Sequence, residues 1–257
     1  MPRQSEPIGA HRPSGLPLMR MQWLHLLFMH WRIEAEKLRP LIPESLEIDE
    51  FDGSAWVGLI PFTMRTVQPA VVPAMPGVSD IPALTAFHEC NVRTYVHPRG
   101  RPDQPGVWFF SLDAASRPAV WAAGKFFRLP YFFARMSLER VGDEVRYGVD
   151  RIDSPQATMC CTWRAGEPLP RSRPGELAHF LTERYALYSA DGAGRLFRCR
   201  IWHKPWALRI AEVISLQDEL VRAAGIEVDQ SQPPARHHAD FMDMRAWRLE
   251  RVKDRRL

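Results

Sequence analysis

The chain has 257 residues, 46% apolar and 25% charged, with a formal net charge of +4. That length and balance exclude a disordered chain and allow a sizeable core in one large domain. Arginines are interleaved with acids and no zinc-knuckle or RNP-type aromatic pattern accompanies them, so the positive charge reads as a solvated surface and argues against nucleic acid as a partner.

Residues 1–19, with Pro2, Pro7, Pro13 and Pro17 among polar neighbours, read as a flexible leader without the apolar stretch of a signal peptide. Gln22 to Ile33 is apolar on both faces, the pattern of a strand buried on both sides. Glu34 to Leu41 reads as a short helix stopped by Pro40 and Pro43. Leu46–Ile48 and Ala55–Met64 are expected to pair as a hairpin across Asp52-Gly53, a dipeptide suited to positive φ. Val67 to Pro82 follows as a Pro-rich loop of the length that often forms a lid.

The middle of the chain predicts closely spaced strands at Phe87–Val96, Val107–Leu112, Tyr131–Arg140, Glu144–Arg151 and Ala157–Arg164. Between them Ser116 to Phe127 predicts a helix, with Ser116 as N-cap and Pro118 in the first turn. Further helices are expected at Gly175–Arg184, leading into Tyr185–Ser189, and at Ser215–Ala224. The latter is capped by Ser215 with Asp218 and ended by Gly225. Phe241 to Val252 is expected as a strand that closes the sheet, and 253–257 as a basic tail. The whole reads as a mainly β (α+β) chain with one barrel domain over residues 20–252.

Cys90, Cys160, Cys161 and Cys199 have no CxxC spacing and read as reduced thiols, the adjacent pair facing opposite sides of a strand. No segment reaches the ~18 to 20 apolar residues of a membrane span, so the expected location is the cytoplasm. His237, His238 and Asp240 lack a second ligand set, so no metal is expected. Neither GxGxxG nor a P-loop is present, and no cofactor is expected.

Trp23-Leu24-His25-Leu26-Leu27-Phe28 with His30-Trp31, Phe51-Asp52-Gly53, Ala55-Trp56-Val57-Gly58 and Asn91-Val92-Arg93-Thr94-Tyr95-Val96 resemble the YqjF-like family of uncharacterised bacterial proteins. So do Phe109 to Ala114, Leu129-Pro130-Tyr131, Leu181 to Tyr185 and Pro205-Trp206, and together they span roughly residues 20 to 250. Through Leu38–Leu46, Phe87-His88-Glu89 and Gly124–Ala134 the chain is in turn similar to the acetoacetate decarboxylase-like superfamily. The resemblance implies a closed antiparallel β-barrel of that type with a few short flanking helices and a central ligand cavity. Where the decarboxylase pattern has two adjacent lysines, this chain has Tyr131 and Phe132. A phenol with a pKa near ~10 and a benzene ring cannot serve as the Schiff-base amine, so the family's decarboxylation is not expected.

The candidate ligand-binding residues are Glu89, Asn91, Arg93, Tyr131 and His203. Glu89 lies in an apolar strand, where a carboxyl is either a cavity-lining acid or ion-paired with an arginine from another strand. Asn91 and Arg93 share its face, and Tyr131 is a candidate hydroxyl donor. His203 precedes Lys204-Pro205-Trp206, a context that suits a hydrogen-bonded core or rim residue better than a base. Asp113, at a strand end, is expected to serve a turn or a helix cap. No catalytic residue is assigned.

The leading expectation is therefore a barrel that binds a small apolar or carboxylate-bearing molecule. One alternative is a Schiff-base lyase or aldolase-type enzyme using a displaced amine, Lys125 or Lys204, two of only four lysines beside thirty arginines. The other is a non-catalytic scaffold that forms a homo-oligomer.

Overall fold

The computed structural model describes residues 11–69, 86–229 and 234–252. The expected Pro-rich loop lies largely outside them. Twelve strands form one sheet: β1 (Met19–Ile33), β2 (Leu46–Ile48), β3 (Ala55–Pro69), β4 (Phe87–Pro98), β5 (Gly106–Ala114), β6 (Tyr131–Val141), β7 (Glu144–Arg151), β8 (Ala157–Pro168), β9 (Ala186–Ala190), β10 (Leu196–Trp202), β11 (Arg209–Asp218) and β12 (Ala235–Arg251). Among the described residues four short helices flank it: α1 (Ala35–Leu38), α2 (Arg117–Phe127), α3 (Leu177–Thr182) and α4 (Leu220–Ala223).

The order of hydrogen-bonded neighbours is β10-β9-β5-β6-β7-β8-β11-β12-β1-β3-β4-β2, with β10 also paired to β12 and β5 to β4. These two extra pairings close the sheet twice. One ring runs β5-β6-β7-β8-β11-β12-β1-β3-β4 and back to β5, and a second runs β12-β1-β3-β4-β5-β9-β10 and back to β12. β1, common to both rings, buries Leu27 and Met29 on one face and Leu26 and Phe28 on the other, the two-sided pattern read from Gln22–Ile33. In β4, Cys90 and Val92 enter a solid core with Leu27, Met29, Tyr147, Met159 and Trp163, while Phe87, Glu89, Asn91 and Arg93 face a hollow. Closure removes the exposed edges that an open sheet would present.

Pairing is antiparallel except that β5 runs parallel to both β6 and β9. Parallel neighbours need a crossover, and α2 supplies it between β5 and β6. Its N-terminus is as expected: the Ser116 hydroxyl accepts from Ala119 N at 3.3 Å and proline follows in the first turn.

Three expectations are corrected. Leu46–Ile48 does not pair with β3. It pairs with β4 (Ile48 opposite Val96), whereas Val57 of β3 stands opposite Thr94. Thus β2 and β3 follow one another along one edge of β4, and the positive-φ pair Asp52 and Gly53 bends the chain between them. Ser215 begins no helix, because it lies opposite Thr162 in the β8–β11 ladder, and cross-strand pairing there overrides the local capping pattern. Asp218 alone caps α4, accepting from Leu220 N at 2.9 Å and Val221 N at 3.3 Å. Asp113 is neither turn nor cap: it is fully buried in a two-bond ion pair with Arg151, at 2.6 and 2.7 Å. Strands β10 and the first half of β11 lie outside the sequence expectations altogether.

Candidate functional site

The second ring encloses a cavity of about 810 Å³. Every one of its seven strands contributes lining residues, from Met21 and Trp23 on β1 to Cys199 on β10 and Met244 on β12, and α2 covers it with Ala119, Ala122 and Phe126 among others. The lining is mostly apolar. Three of its polar side chains stand in a row on β4, Glu89, Asn91 and Arg93, because a strand points alternate residues to the same side, while Thr182, Arg184, His203 and Arg248 line it from other elements. All five sequence-derived candidates line this cavity.

Glu89 is 2% exposed, and its partner is not an arginine. Tyr131 comes from β6, opposite Leu112 of β5, which is itself opposite Asn91 of β4. From there its hydroxyl donates to Glu89 Oε2 at 2.8 Å. Burial pushes the Glu89 carboxyl up to about 8, against the Tyr131 hydrogen bond, which lowers it, while the nearby Asp113 charge adds to the rise. At neutral pH Glu89 is therefore mainly a neutral acid, able to donate a hydrogen bond. Burial likewise raises Tyr131 well above the phenol range and keeps it a donor.

Arg93 is 7% exposed. Its Nη2 donates to the Leu181 carbonyl at 3.1 Å and to the Tyr95 hydroxyl at 3.4 Å, and its guanidinium lies 5.7 Å from the Phe28 and Tyr95 ring centres. Among the described residues no carboxylate pairs with it and its Nε has no partner. The other two buried arginines differ: Arg151 holds Asp113, and Arg184, which also lines the cavity, holds Asp49 at 2.5 Å. The Oδ1 of Asn91 and the indole Nε1 of Trp23 are likewise buried without a partner among the described residues. Tyr95 is fixed in turn by the Leu181 carbonyl and by His30 Nε2, each at 2.6 Å.

His203 is buried, stacked on Tyr185 at 4.6 Å between ring centres. Its Nδ1–H donates to the Lys204 carbonyl at 2.7 Å, its Nε2 lies 3.3 Å from the Arg184 carbonyl, and burial holds its pKa low. It is thus a neutral wall residue held by backbone. Lys125 and Lys204 are exposed and neither lines the cavity; the Lys125 ammonium sits 4.9 Å over the exposed Trp121 ring. His238 accepts from Trp163 Nε1 at 3.2 Å and meets Asp240 at 3.0 Å. Among the described residues no three His, Cys, Asp or Glu side chains converge on a metal position.

The sequence reading missed Trp23 and Arg184 as cavity residues. Both sit in segments noted for other reasons, and only ring closure turns them inward.

The family model for an uncharacterized conserved protein (COG2071), DUF2071, matches residues 20–243. The chain belongs to the DUF2071 family. Within it, the uncharacterized protein YqjF of Bacillus subtilis (strain 168) is 36% identical over 239 residues, 93% of this chain and 94% of that protein. Among solved structures, acetoacetate decarboxylase of Legionella pneumophila matches with a TM-score of 0.63 at 13% identity, over 95% of this chain and 93% of that one. An acetoacetate decarboxylase-like enzyme from Sphingomonas wittichii RW1 gives 0.61 at 12% identity over 93% and 94%. The enduracididine biosynthesis enzyme MppR, complexed with pyruvate, gives 0.64 at 12% identity over 97% and 95%. This member of DUF2071 therefore has the acetoacetate decarboxylase-like fold, and no helix among its described residues is long and apolar enough to cross a membrane.

Proposed function

We propose that the chain binds a carboxylate-bearing small molecule inside the seven-stranded ring, with Arg93 as the anchor and Glu89, Asn91 and Tyr131 as further polar contacts. The observation that carries this reading is Arg93 itself. A guanidinium withdrawn from water costs several kcal/mol unless paired, and both other buried arginines satisfy that demand with an aspartate. Arg93 faces an apolar cavity with only neutral partners among the described residues, so an entering carboxylate supplies the missing charge and gains from the low dielectric. The named ligands of two fold neighbours, pyruvate on MppR and acetoacetate for the decarboxylase, are carboxylates too. A Schiff-base alternative through Lys125 or Lys204 finds no support, because both amines are exposed away from the cavity.

The test is calorimetric titration of octanoate and octanol into the wild type and Arg93→Met. Octanoate is expected to bind the wild type and to lose about ten- to hundredfold in affinity on the variant. Equal binding of the acid and the alcohol by the wild type overturns the reading. Native mass spectrometry of the freshly purified chain then looks for a co-purifying acid.

A further inference from the structure

The polar row on β4 has a length as well as a composition. Glu89 and Arg93 are four residues apart, and β4 keeps an unbroken register with β3 from Phe87 to Thr94. Their Cα atoms are therefore ~13 Å apart at ~3.3 Å per residue, with Asn91 halfway. The Arg93 guanidinium is turned toward Tyr95 and the Leu181 carbonyl, on the side of Arg93 away from Glu89, so the two side chains serve opposite ends of the row. The rest of the cavity lining is mostly apolar and includes Met19, Met21, Met64 and Met244, and methionine is the side chain that best adapts to a flexible chain.

The two ends also differ in what they lack. Arg93 lacks an anion among the described residues. At the other end, Asn91 Oδ1 is a buried acceptor without a donor among the described residues, and the Glu89 carboxyl, held by Tyr131 on one oxygen, presents a donor when protonated. A hydroxyl satisfies both, donating to Asn91 and accepting from Glu89. A buried polar atom left unmatched costs about as much as a lost hydrogen bond, which makes this end selective rather than merely tolerant.

We infer that the cavity is built for a medium-chain hydroxy acid: a carboxylate on Arg93, a methylene chain along the methionine-lined wall, and a hydroxyl between Asn91 and Glu89. On the ~13 Å span the chain is about six to ten carbons long, and a cavity of about 810 Å³ is in the range that holds such a ligand and far exceeds a three- or four-carbon acid. This rests on the anchoring role of Arg93 proposed above.

The experiment titrates the full-length protein with pyruvate, hexanoate, decanoate and 10-hydroxydecanoate. From hexanoate to decanoate affinity is expected to rise by about fourfold per methylene, the worth of burying a CH₂. Although its hydroxyl makes it more soluble in water, 10-hydroxydecanoate is expected to bind at least as tightly as decanoate, by up to about tenfold. In Asn91→Leu and Glu89→Leu that order reverses, decanoate binding better. Glu89→Gln, which keeps a donor, is expected to restore tighter binding of 10-hydroxydecanoate than Glu89→Leu allows, and urea unfolding of each variant checks that it is folded.

If decanoate binds but pyruvate binds as tightly, or if the wild type prefers decanoate to its hydroxy counterpart, this inference is overturned and the anchoring role of Arg93 stands. If no acid of any length binds, both fall.

Discussion

Tyr131 donates to Glu89 across 2.8 Å, and no arginine of the described residues pairs with that carboxyl, although Asp113, its neighbour in the same sheet, is held by Arg151 through two bonds. Two buried acids thus take opposite solutions: Asp113 keeps its charge by pairing, and Glu89 keeps its proton.

Stability should carry the signature of Glu89. Its carboxyl titrates near 4.5 when unfolded and at about 8 in the fold, so below pH 4.5 both states are protonated and its contribution is fully present. Between those values the unfolded state loses the proton first, and stability falls with rising pH until the loss is complete above about 8. Glu89→Gln removes this dependence. In thermal melts the variant's Tm relative to wild type is expected to rise from pH 5 to pH 8.5, on a scale of a few kcal/mol. An offset that stays flat across that range contradicts a neutral Glu89.

The Asp113–Arg151 pair predicts strong coupling. Arg151→Met leaves a buried carboxylate alone and is expected to cost about 3–5 kcal/mol in urea unfolding. Asp113→Leu with Arg151→Met should cost clearly less than the sum of the single changes. Additive losses would mean the two charges act independently.

Gly58 is a packing constraint on the anchor. A Cβ there would stand 2.8 Å from His30 Cδ2 and Nε2 and from Ile60 Cδ1, and His30 Nε2 holds the Tyr95 hydroxyl to which Arg93 donates. Gly58→Ala is expected to lower the urea midpoint by the equivalent of about 1–3 kcal/mol with an unchanged m value. It should also weaken octanoate binding by displacing Arg93.

Borohydride added with acetoacetate or pyruvate is expected to leave the protein mass unchanged, since no lysine among the described residues lines the cavity. A stable adduct mapped to Lys125 or Lys204 would restore covalent amine chemistry.

Much of the wall was legible before any coordinates. The strand period alone puts Glu89, Asn91 and Arg93 on one face, and the two-sided apolar character of Gln22–Ile33 announces a strand shared by two interiors. The segment reading went wrong where local chemistry competes with pairing. Ser215 looks like a helix cap and is a strand residue, because the β8 ladder binds its backbone; Asp113 looks like a strand-end cap and meets an arginine 38 residues away.

Sequence by itself determined which residues share a face and the absence of an amine at Tyr131 and Phe132, since side-chain direction and residue identity are local properties. Only the tertiary structure decided that Tyr131, rather than an arginine, meets Glu89, that Arg93 is left without a carboxylate among the described residues, and that one sheet closes into two rings of which one is hollow. Those outcomes depend on register and on strand crossings between residues far apart in the chain, and no short-range pattern encodes them.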